Sequence, residues 1–151
     1  MKRFAELLLN LILTSSRNDK IDHIVNWIKD SNSEEIGWGL SIICEELEIS
    51  KVKPSMVKEI SKLHIDKYLF DLSYDYVGDM AETISLIWPK HTNHALEKQR
   101  LPQLGELIAA LQTKSKIALQ TCVTELLDCA SVTERWACLL YTSPSPRDRI
   151  A

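Results

Sequence analysis

Hydrophobic residues recur along this chain at the three- and four-residue spacing of amphipathic helices. The first such stripe, within residues 2–13, is Phe4, Leu7, Leu8, Leu11 and Ile12. Similar stripes follow to the end of the chain, and runs of alternating β-branched residues are absent. Glycine (4) and proline (5) are scarce among the 151 residues. The pattern therefore predicts an all-α fold, a single compact domain of about eight or nine helices.

Residues 72–89, LSYDYVGDMAETISLIWP, divide at Gly78 into two predicted helices. Residues 69–77 are apolar on nearly every side, which predicts a helix buried on several faces. Asp79 and Glu82 then have the spacing of a capped helix start. We expect the amides of Gly78 and of the following turn to be unpaired donors at a positive helix end, where a DNA phosphate would bind. From these residues alone, a plain turn between two helices is the favoured interpretation, because such turns are far commoner than anion sites.

The net charge of -3 does not indicate nucleic-acid binding, but the charges are unevenly distributed. Residues 17–50 carry three basic and eight acidic side chains, whereas residues 51–67 and residues 90–116 each carry five basic and two acidic ones. Two basic zones thus flank the central stretch. They are compatible with a positive footprint on one face of the domain, and chance clustering is the alternative.

The cysteines show no C-x-x-C spacing, which predicts reduced, buried thiols in a cytoplasmic protein. They are Cys44, Cys122, Cys129 and Cys138. A metal site formed by His91 and His94 with Cys122 or Cys129 is a weaker hypothesis, because structural zinc sites favour tighter paired spacings. No apolar run approaches the length of a membrane span, so we expect no membrane association.

The C-terminal residues differ in character from the rest. CLLYTSPSPRD, at 138–148, is similar to a translated adapter of a sequencing library, and its Ser-Pro-Ser-Pro run ends any helix. We therefore expect residues 1–137 to form the domain and residues 138–151 to be a non-native tail, disordered or frayed. A genuine disordered C-terminus is the alternative.

Several of these segments together resemble the N-terminal domain of bacterial ATP-dependent DNA ligases, in particular the branch linked to the response to cisplatin damage. They are, in the order of that family, MKRFAELL at 1–8, GWGL at 37–40, Lys53-Pro54, the central stretch 72–89, and ERWA at 134–137. The central stretch is the specific signal, and the other segments are weak alone.

The resemblance implies an all-helical DNA-binding domain that grips nicked duplex DNA, largely through the minor groove and the phosphates. In the intact enzyme, adenylation and OB-fold domains follow, and a lysine in a K-x-D-G motif reacts with ATP and magnesium. Such enzymes seal nicks in repair, replication or recombination. Here the only Lys-x-Asp is Lys20-Ile21-Asp22, followed by His23, and no P-loop motif is present. We expect a fragment with no catalytic residue and no bound cofactor.

Four residues are the predicted DNA contacts. A glycine at Gly78 lets a phosphate approach the main chain closely, and Lys90, Lys114 and Arg135 are the side-chain candidates. Such contacts position a duplex without reading its bases. Each basic residue has an alternative interpretation as a solvated charge, and Arg135 as a partner of a neighbouring carboxylate. For the aromatic residues we favour core packing over stacking on nucleotides; these are Tyr74, Tyr76, Trp88 and Trp136.

Two other function classes fit an all-helical chain of this size. An α-helical scaffold for protein interactions, without nucleic-acid binding, predicts a large exposed apolar groove and no positive face. A small helical metalloenzyme predicts a metal held by His91, His94 and a cysteine.

Overall fold

A computed structural model of the chain describes residues 1–47, 49, 51–90 and 101–140. Within these ranges the fold consists of nine helices and contains no strand, which confirms the predicted all-α class and helix number. The helices are α1 (Lys2–Leu13), α2 (Arg17–Lys29), α3 (Ser33–Ile43), α4 (Pro54–His64), α5 (Lys67–Val77), α6 (Met80–Ile87), α7 (Leu104–Thr113), α8 (Lys116–Cys129) and α9 (Val132–Leu140). No described helix is both long enough and apolar enough to cross a bilayer.

Side-chain caps begin several of these helices. Asp79 Oδ1 accepts a hydrogen bond from the Glu82 amide at 2.8 Å, which confirms the expected start of α6. Asn32 Oδ1 accepts from the Glu35 amide at 2.8 Å, so Asn32 caps α3 and Ser33 is its first residue. Each cap satisfies one amide that the helix itself leaves without an acceptor.

The helices enclose two hydrophobic clusters, and α9 contributes to both. The first cluster lies mainly between α4, α6, α8 and α9, and its most buried side chains include Val57, Ile60, Ile84, Trp88, Leu119 and Leu127. The second lies between α1, α2, α7 and α9, with Phe4, Leu8, Trp27, Ile108 and Leu140. Helix α9 packs against both α1 and α6, and its half-buried Trp136 contacts both clusters. The last described helix therefore joins the two halves of the core.

The disorder or fraying expected of residues 138–151 does not begin at Cys138, because the first three of these residues are helical. Cys138, Leu139 and Leu140 continue α9 and are buried, because they extend the apolar face that packs into the two clusters. The rest of the tail, residues 141–151, lies outside the described residues, and so do residues 91–100.

The two glycines of α3 have different environments. A Cβ added at Gly39 would lie 2.3 Å from Cη2 of Trp27 and 3.0 Å from Cε2 of Phe4, whose ring centroid is 5.4 Å from that of Trp27. Trp27 of α2 therefore lies very close to the backbone of α3 at Gly39. At Gly37 an added Cβ would meet nothing within 4 Å, so that glycine is not explained by close packing.

Candidate nucleic-acid interface

The turn between α5 and α6 is built around Gly78, whose φ of +74° lies in the left-handed region that favours glycine. Its amide donates to the carbonyl oxygen of Tyr74 at 2.8 Å and closes the C-terminus of α5. The expectation that this amide is an unpaired donor is therefore wrong. The glycine is explained by helix termination alone.

The N-terminus of α6 already carries an anion from the chain itself. The carboxylate of Asp79 accepts from the Glu82 amide, and Glu82 adds a second negative charge in the first turn. Both carboxylates benefit from the positive end of the helix dipole, and both oppose the approach of a phosphate to it. A contact between Gly78 and DNA stays a prediction that this turn does not support.

Helix α5 is much more exposed than its composition indicated. Phe70 is its one buried residue, whereas Leu72 is 52% exposed and Tyr76 is 93% exposed. The prediction of a helix buried on several faces is wrong, because α5 packs chiefly on α6 and leaves its outer side uncovered. Core packing is likewise wrong for Tyr76, while it is confirmed for Trp88, which is 3% exposed.

A lysine-lined cleft of about 450 Å³ lies between the starts of α4 and α8. We call it the lysine cleft and define it by Lys51, Lys53, Lys114 and Lys116. The other lining residues are Ser55, Met56, Glu59, Ser115 and Leu119. Within the described part of the chain, none of the four lysines forms an ion pair. Four cations with one lining carboxylate make this cleft the clearest anion-binding surface that the structure describes.

The lysine cleft unites the two basic zones of the sequence. Lys51 and Lys53 come from the first zone, and Lys114 and Lys116 from the second. Lys114 was a predicted contact, whereas the other three were not singled out. Their signal was nevertheless available, since all four belong to the two stretches of excess positive charge.

Two helix N-termini add to the positive character of the lysine cleft. Lys53 is the N-cap of α4 and Ser115 is the N-cap of α8, and neither side chain bonds to a first-turn amide. The early amides of a helix lack intrahelical acceptors and carry the positive end of its dipole. Both N-cap residues line the cleft, so the dipoles reinforce the lysine charges there.

Lys90 is exposed but is not part of the lysine cleft. It follows the C-terminal end of α6, while Gly78 precedes its start. Eight helical residues span about 12 Å, so these two predicted contacts lie at opposite ends of the helix. The structure does not bring them together with Lys114 in one site.

Arg135 is buried and forms a hydrogen bond within the domain. It is 8% exposed, and its Nε donates to the carbonyl oxygen of Leu127 at 2.6 Å. Burial lowers the pKa of the guanidinium, and the nearby carboxylate of Asp128 opposes that shift. Asp128 also accepts a hydrogen bond from Trp88 Nε1 at 2.9 Å. Arg135 thus links α9 to the end of α8, and its predicted contact with DNA finds no support in this placement.

The four cysteines differ in burial. Cys138 is buried, which raises the pKa of its thiol to about 12, but Cys44 is exposed, so its predicted burial is wrong. Burial also raises the pKa of Cys122, with Lys114 opposing the shift. The described residues contain no group of three metal-ligating side chains. His91 and His94 lie outside the described residues.

Comparison of the chain with models of protein families, with curated proteins and with solved structures finds no match.

Proposed function

We propose that this domain binds the phosphate backbone of nicked duplex DNA through the lysine cleft, as the N-terminal DNA-binding module of an ATP-dependent DNA ligase. The observation that supports the proposal is the convergence of Lys51, Lys53, Lys114 and Lys116 on one cleft. The resemblance of the central stretch to the ligase family supplies the type of nucleic acid. In the parent enzyme, the adenylation and OB-fold domains supply the chemistry, with ATP and magnesium.

Lysines suit this task because each carries a compact charge on a flexible stem and binds phosphate without a fixed orientation. A surface of this kind holds the backbone and carries no sequence information. Sequence-independent binding is what an enzyme needs if it is to act at nicks in any context. Of the four predicted contacts, only Lys114 belongs to the interface proposed here.

Salt dependence measures the contacts directly. The anisotropy of a fluorescein-labelled nicked duplex is titrated with the whole chain at several salt concentrations. Four neutralised phosphates give a slope of log affinity against log salt of about -3.6, at roughly -0.9 per contact. The double variant Lys53→Gln/Lys114→Gln is expected to bind more weakly and to reduce the magnitude of the slope by about 2.

Lys2→Gln/Lys29→Gln is the matched control, because it removes the same net charge from exposed lysines outside the cleft. It is expected to keep the slope of the unmodified chain. Equal slopes for the two double variants, or no binding to nicked duplex, would contradict the proposal.

A separate experiment tests the proposal that this chain does not react with ATP itself. Incubation of the chain with labelled ATP and magnesium is expected to leave no covalent enzyme–AMP adduct, because the sequence contains no K-x-D-G lysine. A labelled band on a denaturing gel would show that the chain holds a nucleophile and would refute this part of the proposal.

A further inference from the structure

Two consecutive helices leave an apolar surface uncovered. About half or more of each of five large side chains is exposed on α5 and α6, namely Tyr68, Leu69, Leu72, Tyr76 and Leu86. Leu72, Tyr76 and Leu86 line a groove of about 280 Å³ between the helices, which we call the α5–α6 groove. Contiguous apolar surface with a polar rim is characteristic of interaction sites, whereas scattered exposed side chains are not.

Helix geometry places these side chains side by side. Leu69, Leu72 and Tyr76 have the i, i+3, i+7 spacing that puts residues on one face of a helix. The groove between the helices also includes the buried Thr83 and the half-buried Val77. The side chains of this face therefore form a continuous ridge beside a recess that can receive apolar groups.

Negative charge predominates around the α5–α6 groove, although Lys67, the exposed first residue of α5, lies one helical turn before Asp71. Residues 68–89 contain four carboxylates and no lysine, arginine or histidine. Asp71 and Asp75 are exposed and one helical turn apart, and Asp75, three residues after Leu72, is its neighbour on the surface of α5. Glu82 is exposed one turn before Leu86 on α6. Such a rim repels nucleic acid and attracts a basic partner.

We propose that the α5–α6 groove docks a basic amphipathic helix of a partner protein. Apolar side chains of that helix enter the groove between Leu72, Tyr76 and Leu86, and its lysines or arginines face Asp71 and Asp75. Helix-in-groove recognition uses this combination of apolar anchors and flanking charge. The site is independent of the proposed DNA function, because it shares no residue with the lysine cleft and has the opposite charge.

The probe is a synthetic peptide of leucine and lysine, about 18 residues or five turns long, patterned as an amphipathic helix. Its control is the same peptide with glutamate in place of lysine. Amide chemical shifts of the ¹⁵N-labelled chain are recorded during each titration, in low salt to limit screening. We expect the lysine peptide to bind at least about tenfold more tightly and to shift the amides of α5 and α6.

Two matched variants locate the contact. Leu72→Gln/Leu86→Gln is expected to weaken binding by about tenfold or more. Leu13→Gln/Leu63→Gln alters two leucines that are even more exposed but lie outside the groove, and is expected to leave binding unchanged. Because all four leucines are exposed, circular dichroism is expected to show that both variants fold.

A different occupant of the α5–α6 groove would give different results in these experiments. Equal binding of the glutamate peptide, or equal weakening by the two leucine variants, would overturn the proposal. Shifts of the α5–α6 amides on addition of nicked duplex would assign the groove to DNA. Dimerisation in sedimentation experiments that is lost in Leu72→Gln/Leu86→Gln would assign it to a second copy of the chain. Either of these last two results would also overturn the proposal that the groove docks a partner helix.

Discussion

Replacement of Gly39 by alanine tests the closest approach between helices in the second hydrophobic cluster. An added Cβ would lie 2.3 Å from Cη2 and 2.9 Å from Cζ2 of Trp27. Carbon atoms in contact are normally about 3.5–4 Å apart, so the ring or α3 has to move by more than about 1 Å. Trp27 is buried and packs against Phe4 at 5.4 Å between ring centroids, which leaves the indole little freedom to move.

Helix propensity and core packing change the free energy of unfolding of Gly39→Ala in opposite directions. Alanine is favoured over glycine in a helix interior by about 1 kcal/mol, whereas overpacking a well-packed core costs roughly 1–3 kcal/mol. We therefore expect Gly39→Ala to lower the free energy of unfolding by roughly 0–2 kcal/mol. Gly37→Ala lies in the same helix and meets nothing within 4 Å, so it is expected to raise that free energy by about 1 kcal/mol.

The comparison between these two variants isolates packing, because the helix-propensity term is common to both. Urea denaturation followed by circular dichroism is expected to show Gly39→Ala less stable than Gly37→Ala by about 1–3 kcal/mol. With a slope of about 2 kcal/mol per molar urea, the midpoints differ by roughly 0.5–1.5 M. Equal stability of the two variants would refute the close contact between α3 and Trp27.

A double-mutant cycle confirms which side chain is responsible. Trp27→Phe shortens the ring that faces Gly39, so the cost of Gly39→Ala is expected to be smaller in that background. A smaller cost of Gly39→Ala in the Trp27→Phe background would assign the steric clash to the indole. An unchanged cost would place the strain elsewhere in α3.

Three further predictions follow from the helix termini and the buried polar groups. Gly78→Ala places a Cβ on a left-handed residue and is expected to lower the free energy of unfolding by about 1–2 kcal/mol in urea; an unchanged midpoint would contradict that conformation. Arg135→Met removes the donor to the carbonyl oxygen of Leu127, so stability is expected to fall by roughly 1–3 kcal/mol while affinity for nicked duplex, measured on the folded variant, stays unchanged; lost affinity would restore Arg135 to the interface. Folding raises the pKa of the Cys138 thiol from 9.0 to about 12, so the unfolded chain loses this proton first and the free energy of unfolding falls between about pH 9 and 12. Cys138→Ala is expected to reduce that fall, by up to about 1.4 kcal/mol per pH unit, in urea titrations at pH 8, 9 and 10; identical pH dependence of variant and parent would contradict the burial.

Helix class and helix ends were predictable because their signals are local. The i, i+4 stripe from Met80 to Ile84 and the cap at Asp79 define α6 within a few residues of sequence, and the structure confirms both. Burial was less predictable, because it depends on which elements cover a helix. Helix α5 is rich in apolar residues, yet nothing in the sequence shows that, of the described helices, it packs chiefly on α6.

The two basic zones that supply the lysine cleft were predictable from the sequence, but their convergence on one cleft was not. The excess of positive charge in residues 51–67 and residues 90–116 is visible in the sequence. That the ends of these zones meet at one cleft depends on the packing of α4 beside α8, a contact between distant segments. Arg135 is the opposite case. In the sequence, an arginine beside Trp136 is typical of a surface contact, but the fold buries this side chain.

The position of α9 in both hydrophobic clusters has a consequence for the order of folding during synthesis. Helix α1 packs against α2, which follows it at once, and against α9, which ends at Leu140. At about 5–20 residues per second, a ribosome completes α9 on the order of 10 s after α1. Phe4 and Leu8 lack part of their packing during that interval, and such uncovered apolar surface is what chaperones bind. Helix α1 is thus made well before α9 and is fully packed only after α9 has formed.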